Sequence, residues 1–225
     1  MHISCNTSNT IVNTKEFLMT RIKDALDAVA AAIIAQKDYL TALDAEIGDG
    51  DHGINMARGF RAAVEAVDEM DDTSKPGPVL HAIGKALIQN VGGAAGPLYG
   101  TGFVKASEVC DENTKLNIES CEKLLGAAIA GIERRGYAKK GDKTMLDVLI
   151  PIHDCFLPEH AEGKTLFEVL LDASHAAKEG VDYTKTIVAR RGRATLVGER
   201  SIGHEDPGAV SSMVMYRALY NFLKK

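Results

Sequence analysis

The chain has 225 residues, a hydrophobic fraction of 45%, a charged fraction of 25% and a formal net charge of −5. That length and balance suit one compact soluble domain and exclude extended disorder. With 26 Lys plus Arg against 31 Asp plus Glu, the chain shows no basic footprint for nucleic acid or an anionic membrane surface, and no apolar run long enough to cross a bilayer.

The opening stretch, residues 1–14, is polar and lacks a charged segment followed by an apolar one, so it reads as a loosely held tail rather than a secretion signal. From there apolar residues recur at helical spacing: Phe17, Ile22, Leu26, Val29, Ile33 and Ile34 in one stretch, Leu124, Leu125, Ala128, Ile129 and Ile132 in another. Alternation with period two is scarce, and Ala-rich runs such as 25–35 add intrinsic helix preference to the pattern. Helices are predicted over 14–36, 39–46, 53–70, 78–91, 97–112, 118–135, 144–157, 166–189 and 208–224. Pro76 and Pro78 mark a helix start, Gly136 after Arg134 and Arg135 a helix exit, and Pro207 a first turn opened by Asp206. The fold class is all-α. Short connections imply antiparallel neighbours, and no repeat or linker divides residues 15–225. The four cysteines, Cys5, Cys110, Cys121 and Cys155, lie far apart, which suits reduced thiols in a cytoplasm better than disulfides or a zinc site.

Three segments break the amphipathic pattern. The first, 43–55, packs Asp44, Asp49 and Asp51 into a short turn around Gly48 and Gly50. Carboxylates this close repel unless a cation neutralises them, and a few carboxylates together with phosphates are how magnesium is held. The twelve-residue calcium loop with its terminal Glu does not fit after Asp44 or Asp49. The competing reading is a solvated turn in which Asp49 or Asp51 caps the next helix. Gly53 and Asn55 at that helix start would otherwise offer backbone donors to a phosphate. The second segment, 91–102, is glycine-rich but lacks the Lys and Ser or Thr of a Walker loop and the strand of a dinucleotide fold, so close ligand approach and tight helix packing both remain open. The third, 190–208, offers Arg190, Arg191 and Arg193; an arginine can neutralise a transferring phosphoryl group, although charge runs are more often solvated faces.

Together these segments resemble the nucleotide-binding subunit of dihydroxyacetone kinase, from about Tyr39 to the C-terminus. The resemblance is carried by Tyr-Leu-Thr-Ala-Leu-Asp-Ala-Glu-Ile-Gly-Asp-Gly-Asp-His-Gly at 39–53, Val-Gly-Gly-Ala at 91–94, Gly-Asp-Lys-Thr-Met at 141–145, Gly-Arg-Ala at 192–194 and Gly-Glu-Arg-Ser-Ile-Gly-His-Glu-Asp-Pro-Gly-Ala at 198–209. It implies an antiparallel up-and-down eight-helix barrel with the nucleotide, ADP or ATP, at one end. It further implies that Asp44, Asp49 and Asp51 bind two Mg2+ ions bridging the phosphates. His52, Gly53, Ile54 and Asn55 would meet the phosphates at a helix start, with Ala94 and Ala95 lining the same end. Gly136 and Met145 would border the adenine, Arg193 would face the transferred phosphoryl group as the catalytic residue, and Asp206, Pro207 and Gly208 would close the pocket. Where the family often carries Ser or Thr, this chain has Ala95, so only a backbone donor is expected there.

Two types of dihydroxyacetone kinase are similar in this region. His52 after the third Asp, and the 198–204 stretch, resemble the type whose bound ADP is rephosphorylated in place by a phosphotransferase-system protein. The ATP-using type is usually fused to its substrate domain, for which 225 residues leave no room. The triose would be held by a histidine of a separate subunit, so His81, His153, His160 and His175 read as structural or surface residues. An ATP-dependent kinase for another small polyol or sugar, and a nucleotide-sensing regulatory protein, are the alternatives. No nucleic acid or membrane partner is expected.

Overall fold

The structure is a computed structural model; it describes residues 14–71, 75–111 and 114–225, with side chains from residue 21 onward. The polar tail and Cys5 lie outside the described residues. Among those described there are ten α-helices and no strand: α1 (Thr14–Ala35), α2 (Lys37–Ile47), α3 (His52–Asp68), α4 (Pro76–Asn90), α5 (Ala95–Glu108), α6 (Ile118–Gly136), α7 (Leu146–Asp154), α8 (Pro158–Ala161), α9 (Leu166–Thr184) and α10 (Pro207–Leu223), with a 3-10 segment at Arg193–Ser201. None of these helices is long and apolar enough to cross a membrane.

Packing follows the chain. α1 lies on α3, α3 on α4, α4 on α5, α5 on α6, α6 on α7, α7 on α9, α9 on α10, and α10 returns to α1. Each helix sends its apolar stripe to a shared core that includes Leu40, Met56, Phe60, Leu87, Leu146, Ile152 and Val169, all of them buried. Burying one such Leu or Phe contributes roughly 1.5–3 kcal/mol. The crossing of α4 and α5 is close because both faces are glycine. A Cβ on Gly84 would stand 2.7 Å from the Gly100 carbonyl, and one on Gly100 would stand 2.6 Å from that of Gly84. The C-terminal half of the 91–102 glycine cluster therefore serves helix packing.

Several ends differ from expectation. Gly136 is the last residue of α6, and the left-handed residue that terminates the helix is Tyr137, with φ 51°. Leu98 presses on Gly136, where a Cβ would lie 2.9 Å from its Cδ2, so a larger residue there would have to displace the leucine tip. The helix predicted over 144–157 is shorter, ending at Asp154, and Leu157, preceding Pro158, is extended at the entrance to α8. The helix predicted to run to residue 189 stops at Thr184, whose hydroxyl turns back to the Val181 carbonyl at 2.6 Å. The third loop contains a 3-10 segment that no periodic pattern announces.

Candidate functional site

The acidic turn joins α2 to α3. Asp44 is on the last turn of α2 and is buried; its Oδ2 accepts the N–H of Asp51 at 2.9 Å and of His52 at 3.1 Å. The helix is thus capped from across the turn. Asp51 occupies the cap position without using its side chain, which goes against the competing reading of a turn whose Asp49 or Asp51 caps α3. Gly48 permits this arrangement, since any Cβ there would collide with the Asp44 carboxylate, and Gly50 turns the chain at φ 72°. Asp44, Asp49 and Asp51 each present an oxygen within 4.8 Å of the others. Three hard oxygen donors on one turn suit a magnesium ion that completes its shell with water or phosphate.

With Asp51 and His52 N–H groups taken, the first turn of α3 leaves Gly53 and Ile54 as its remaining donors, while Asn55 N–H returns to the Asp51 carbonyl at 2.9 Å. Gly53 itself is pressed on α2, because a Cβ would meet the Lys37 carbonyl and the Thr41 hydroxyl. The His52 ring does not face the turn. It is buried, with Nε2 3.0 Å from the Ser211 hydroxyl on α10, and burial pushes the imidazole below its ordinary value despite the opposing pull of Asp44 and Asp51.

The second segment lies beside the first. Asn55 packs on Gly92, where a Cβ would sit 2.8 Å from its Oδ1, and that oxygen accepts from Arg58 at 2.8 Å. Arg58 also donates to the Asn90 carbonyl at 2.7 Å, bracing the end of α4 against α3. Ala94 and Ala95 stand at the start of α5, which has no side-chain cap. Tyr99, one turn on, is fully buried: its hydroxyl donates to the Gly208 carbonyl at 2.7 Å and lies 2.8 Å from the hydroxyls of both Ser211 and Ser212. His52, Ser211 and Tyr99 thereby tie the starts of α3, α5 and α10 together.

The third segment returns to the acidic turn. Ile47, Ala189 and Ala194 form a small separate core with Val197 against it. That core seats the 3-10 segment on the end of α2 and brings Arg193 Nε to 2.9 Å from Asp49 Oδ2, although the arginine side chain is still 61% exposed. Asp206 caps α10 by accepting from Ala209 N–H at 2.7 Å; burial raises its carboxyl to about 7, against the pull of that bond and of Lys143. Met145 is buried and adjoins Gly208, where an added Cβ would stand 3.6 Å from the Met145 Cε. Gly136 lies at the end of α6 beside Leu98 of α5. Sequence reasoning missed Arg58, Tyr99 and Ser211, whose partners Asn90, Gly208 and His52 lie far along the chain.

The DAK2 domain model matches residues 46–221. The chain is 39% identical over 200 residues to the PEP-dependent dihydroxyacetone kinase ADP-binding subunit DhaL of Escherichia coli, covering 89% of this chain and 95% of that protein. It is 35% identical to the PTS-dependent counterpart of Lactococcus lactis, over 81% of this chain and 86% of that one. It is also 34% identical to the L-erythrulose 1-kinase of Mycolicibacterium smegmatis, over 81% of this chain but only 32% of that protein. The fold is shared with the dihydroxyacetone kinase of C. freundii solved with AMP-PNP and Mg2+, at a TM-score of 0.68 and 24% identity, over 98% of this chain and 38% of that one. The chain belongs to the DAK2-domain family, on its DhaL branch.

Proposed function

We propose that this chain is the ADP-binding subunit of a dihydroxyacetone kinase, passing a phosphoryl group from bound nucleotide to dihydroxyacetone held on a separate subunit. The single observation that carries the reading is the convergence of Asp44, Asp49 and Asp51 with Arg193 and an open helix start on one turn. Asp44, Asp49 and Asp51 would hold two magnesium ions, which supply charge neutralisation across the phosphates. Gly53 and Ile54 N–H groups would orient phosphate oxygens, with a further backbone donor at Ala94 or Ala95. Arg193, on an exposed side chain long enough to move off Asp49, would neutralise the transferred group. Met145, Gly136 and residues 206–208 would enclose the base and sugar and keep water away. The attacking nucleophile would be the hydroxyl of the triose, which on this reading is held by the separate subunit.

The helix pairings, from α1 round to α10 and back, support an antiparallel eight-helix barrel with this site at one end. The PEP-dependent and PTS-dependent character of the Escherichia coli and Lactococcus lactis relatives supports in-place recharging of ADP by a phosphotransferase-system protein in the cytoplasm. The likeness to L-erythrulose 1-kinase supports a second reading, in which the acceptor is another small sugar or polyol.

Reconstitution tests the proposal. The chain, a triose-binding subunit and phosphoenolpyruvate with the phosphotransferase components should phosphorylate dihydroxyacetone, and ATP alone should not replace the donor system. Turnover with ATP and no donor protein would reject the recharging step, and no transfer under either condition would reject the kinase assignment.

A further inference from the structure

The motif Gly-Asp-Lys-Thr-Met at 141–145 contributes only Met145 to the site described above, yet its lysine is among the most completely buried large side chains of the molecule, at 1% exposure. Lys143 also stands at φ 61°, a left-handed conformation that side-chain-bearing residues adopt only where the surroundings enforce it. Its ammonium does not turn toward the acidic turn. It donates to the Thr184 carbonyl, which ends α9, and to the His204 carbonyl at 2.6 Å, in the loop that leads into α10.

The loop around Lys143 is built to hold that posture. Asp147 Oδ1 accepts the Gly141 N–H at 2.5 Å and Oδ2 accepts the Thr144 N–H at 2.8 Å, while Asp142 accepts the Lys139 N–H at 2.9 Å and its carbonyl accepts the Arg190 N–H at 3.0 Å. The strands of chain that Lys143 joins are linked elsewhere too: Asp206 N–H donates to the Thr184 hydroxyl at 3.1 Å, and Gly203 N–H to the Lys185 carbonyl at 2.7 Å. Gly180 allows α9 to pass against the backbone of Asp147 and Val148, since a Cβ there would strike the Asp147 carbonyl. Buried carboxylates of Asp206 and Asp147 lie close enough to act electrostatically on the ammonium.

We infer that Lys143 is a positioning residue for nucleotide. Its ammonium clamps the end of α9 to the loop before α10, fixing Met145 against Gly208 and so setting the pocket wall opposite the metal-binding turn. A buried ammonium shared by two carbonyls is hard to replace: an apolar side chain leaves both acceptors unpaired and the neighbouring carboxylates uncompensated. The inference rests on the nucleotide-binding reading above and adds a residue that touches no phosphate.

Calorimetric titration of MgADP into nucleotide-free wild type, Lys143→Met and Val169→Ala, each with its Tm, tests it. Val169 is buried on the first turn of α9, fifteen residues or about 22 Å of helix from Thr184, and its truncation lowers stability without touching the clamp. The expected result is a loss of MgADP affinity of at least about tenfold in Lys143→Met and a change within about twofold in Val169→Ala. Wild-type affinity in Lys143→Met overturns the inference, as does an equal loss in Val169→Ala at a matched fall in Tm. If Lys143→Met does not fold, hydrogen exchange on the wild type decides. MgADP should raise protection of the Thr144, Gly203 and Asp206 amides together with the 48–54 turn, and protection confined to that turn and the start of α5 overturns the clamp. A wild-type protein that binds no MgADP would instead sink the nucleotide reading itself.

Discussion

Two charged regions, linked through Asp206, whose carboxyl feels both Asp44 and Lys143, solve opposite problems. At the α2–α3 turn, three carboxylates crowd together with Asp49 and Asp51 partly open to solvent, and the one cation beside them among the described residues, Arg193, is itself exposed. Around Lys143, an ammonium and the carboxylates of Asp147 and Asp206 are buried, and each finds hydrogen-bond partners within the chain. The lesson is that like charges left near the surface await a ligand, whereas mixed charges satisfied internally hold a shape. On the proposed reading, the first region serves the chemistry and the second fixes where it happens.

That contrast can be broken most sharply at Arg193. Arg193→Ala should slow single-turnover phosphoryl transfer by about three orders of magnitude or more, with Tm unchanged because the side chain is 61% exposed. A rate within about tenfold of wild type would take the arginine out of the chemistry. Next in size, Asp49→Asn should weaken MgADP binding about a hundredfold, the equivalent of about 2.8 kcal/mol of lost charge stabilisation. Unaltered affinity by calorimetry would mean that the acidic turn serves no cation.

Gly53→Ala probes the junction rather than the charges. The new methyl would be driven into the Lys37 carbonyl and Thr41, costing about 1–3 kcal/mol of stability, which thermal melting should record as a fall of several degrees; an unchanged Tm would show that α2 and α3 can separate freely. The buried region has its own signature in pH. Asp206 is raised from 3.8 to about 7 by burial, so the folded chain holds that proton more tightly than the unfolded one. Its contribution to stability therefore grows as pH falls from 7 toward 4 and is lost as pH rises through the same window. Asp206→Asn should flatten that part of the Tm profile, and parallel profiles for variant and wild type would contradict the raised carboxyl. The smallest effect belongs to a charge pair in neither region: Lys123→Ala, which breaks the exposed contact to Glu119 at 2.6 Å, should leave Tm unchanged within error because solvent screens such pairs.

Much of this contrast was legible in the chain. The three aspartates, the two glycines between them and the arginines of the third segment broke a helical pattern that was otherwise continuous, and local pattern is what a linear reading detects. Asp206 followed by Pro207 announced the start of α10, and the structure shows the cap bond. His52 was legible as a neighbour of the site but not in its orientation, because the Ser211 hydroxyl that holds its ring is 159 residues away. Lys143 was visible only as part of a motif, since nothing beside it in sequence indicates that Thr184 and His204 are its acceptors. The extent of α9 was misjudged because helix preference continues past Thr184, while the bonds that stop it come from Lys143 and Asp206.

Sequence alone determined the all-helical class, the helix starts built on proline and Asp206, and the crowding of Asp44, Asp49 and Asp51, because periodicity, capping and charge density act over a few residues. Only the tertiary structure decided that Arg193 rests on Asp49, that Asp44 caps α3 from the preceding helix, that glycines at 84, 100 and 136 serve close packing, and that Lys143 ties α9 to the loop before α10. These contacts bring together groups from distant parts of the chain. Their energies depend on burial and on the exact placement of partner carbonyls, quantities that exist only once the helices have packed.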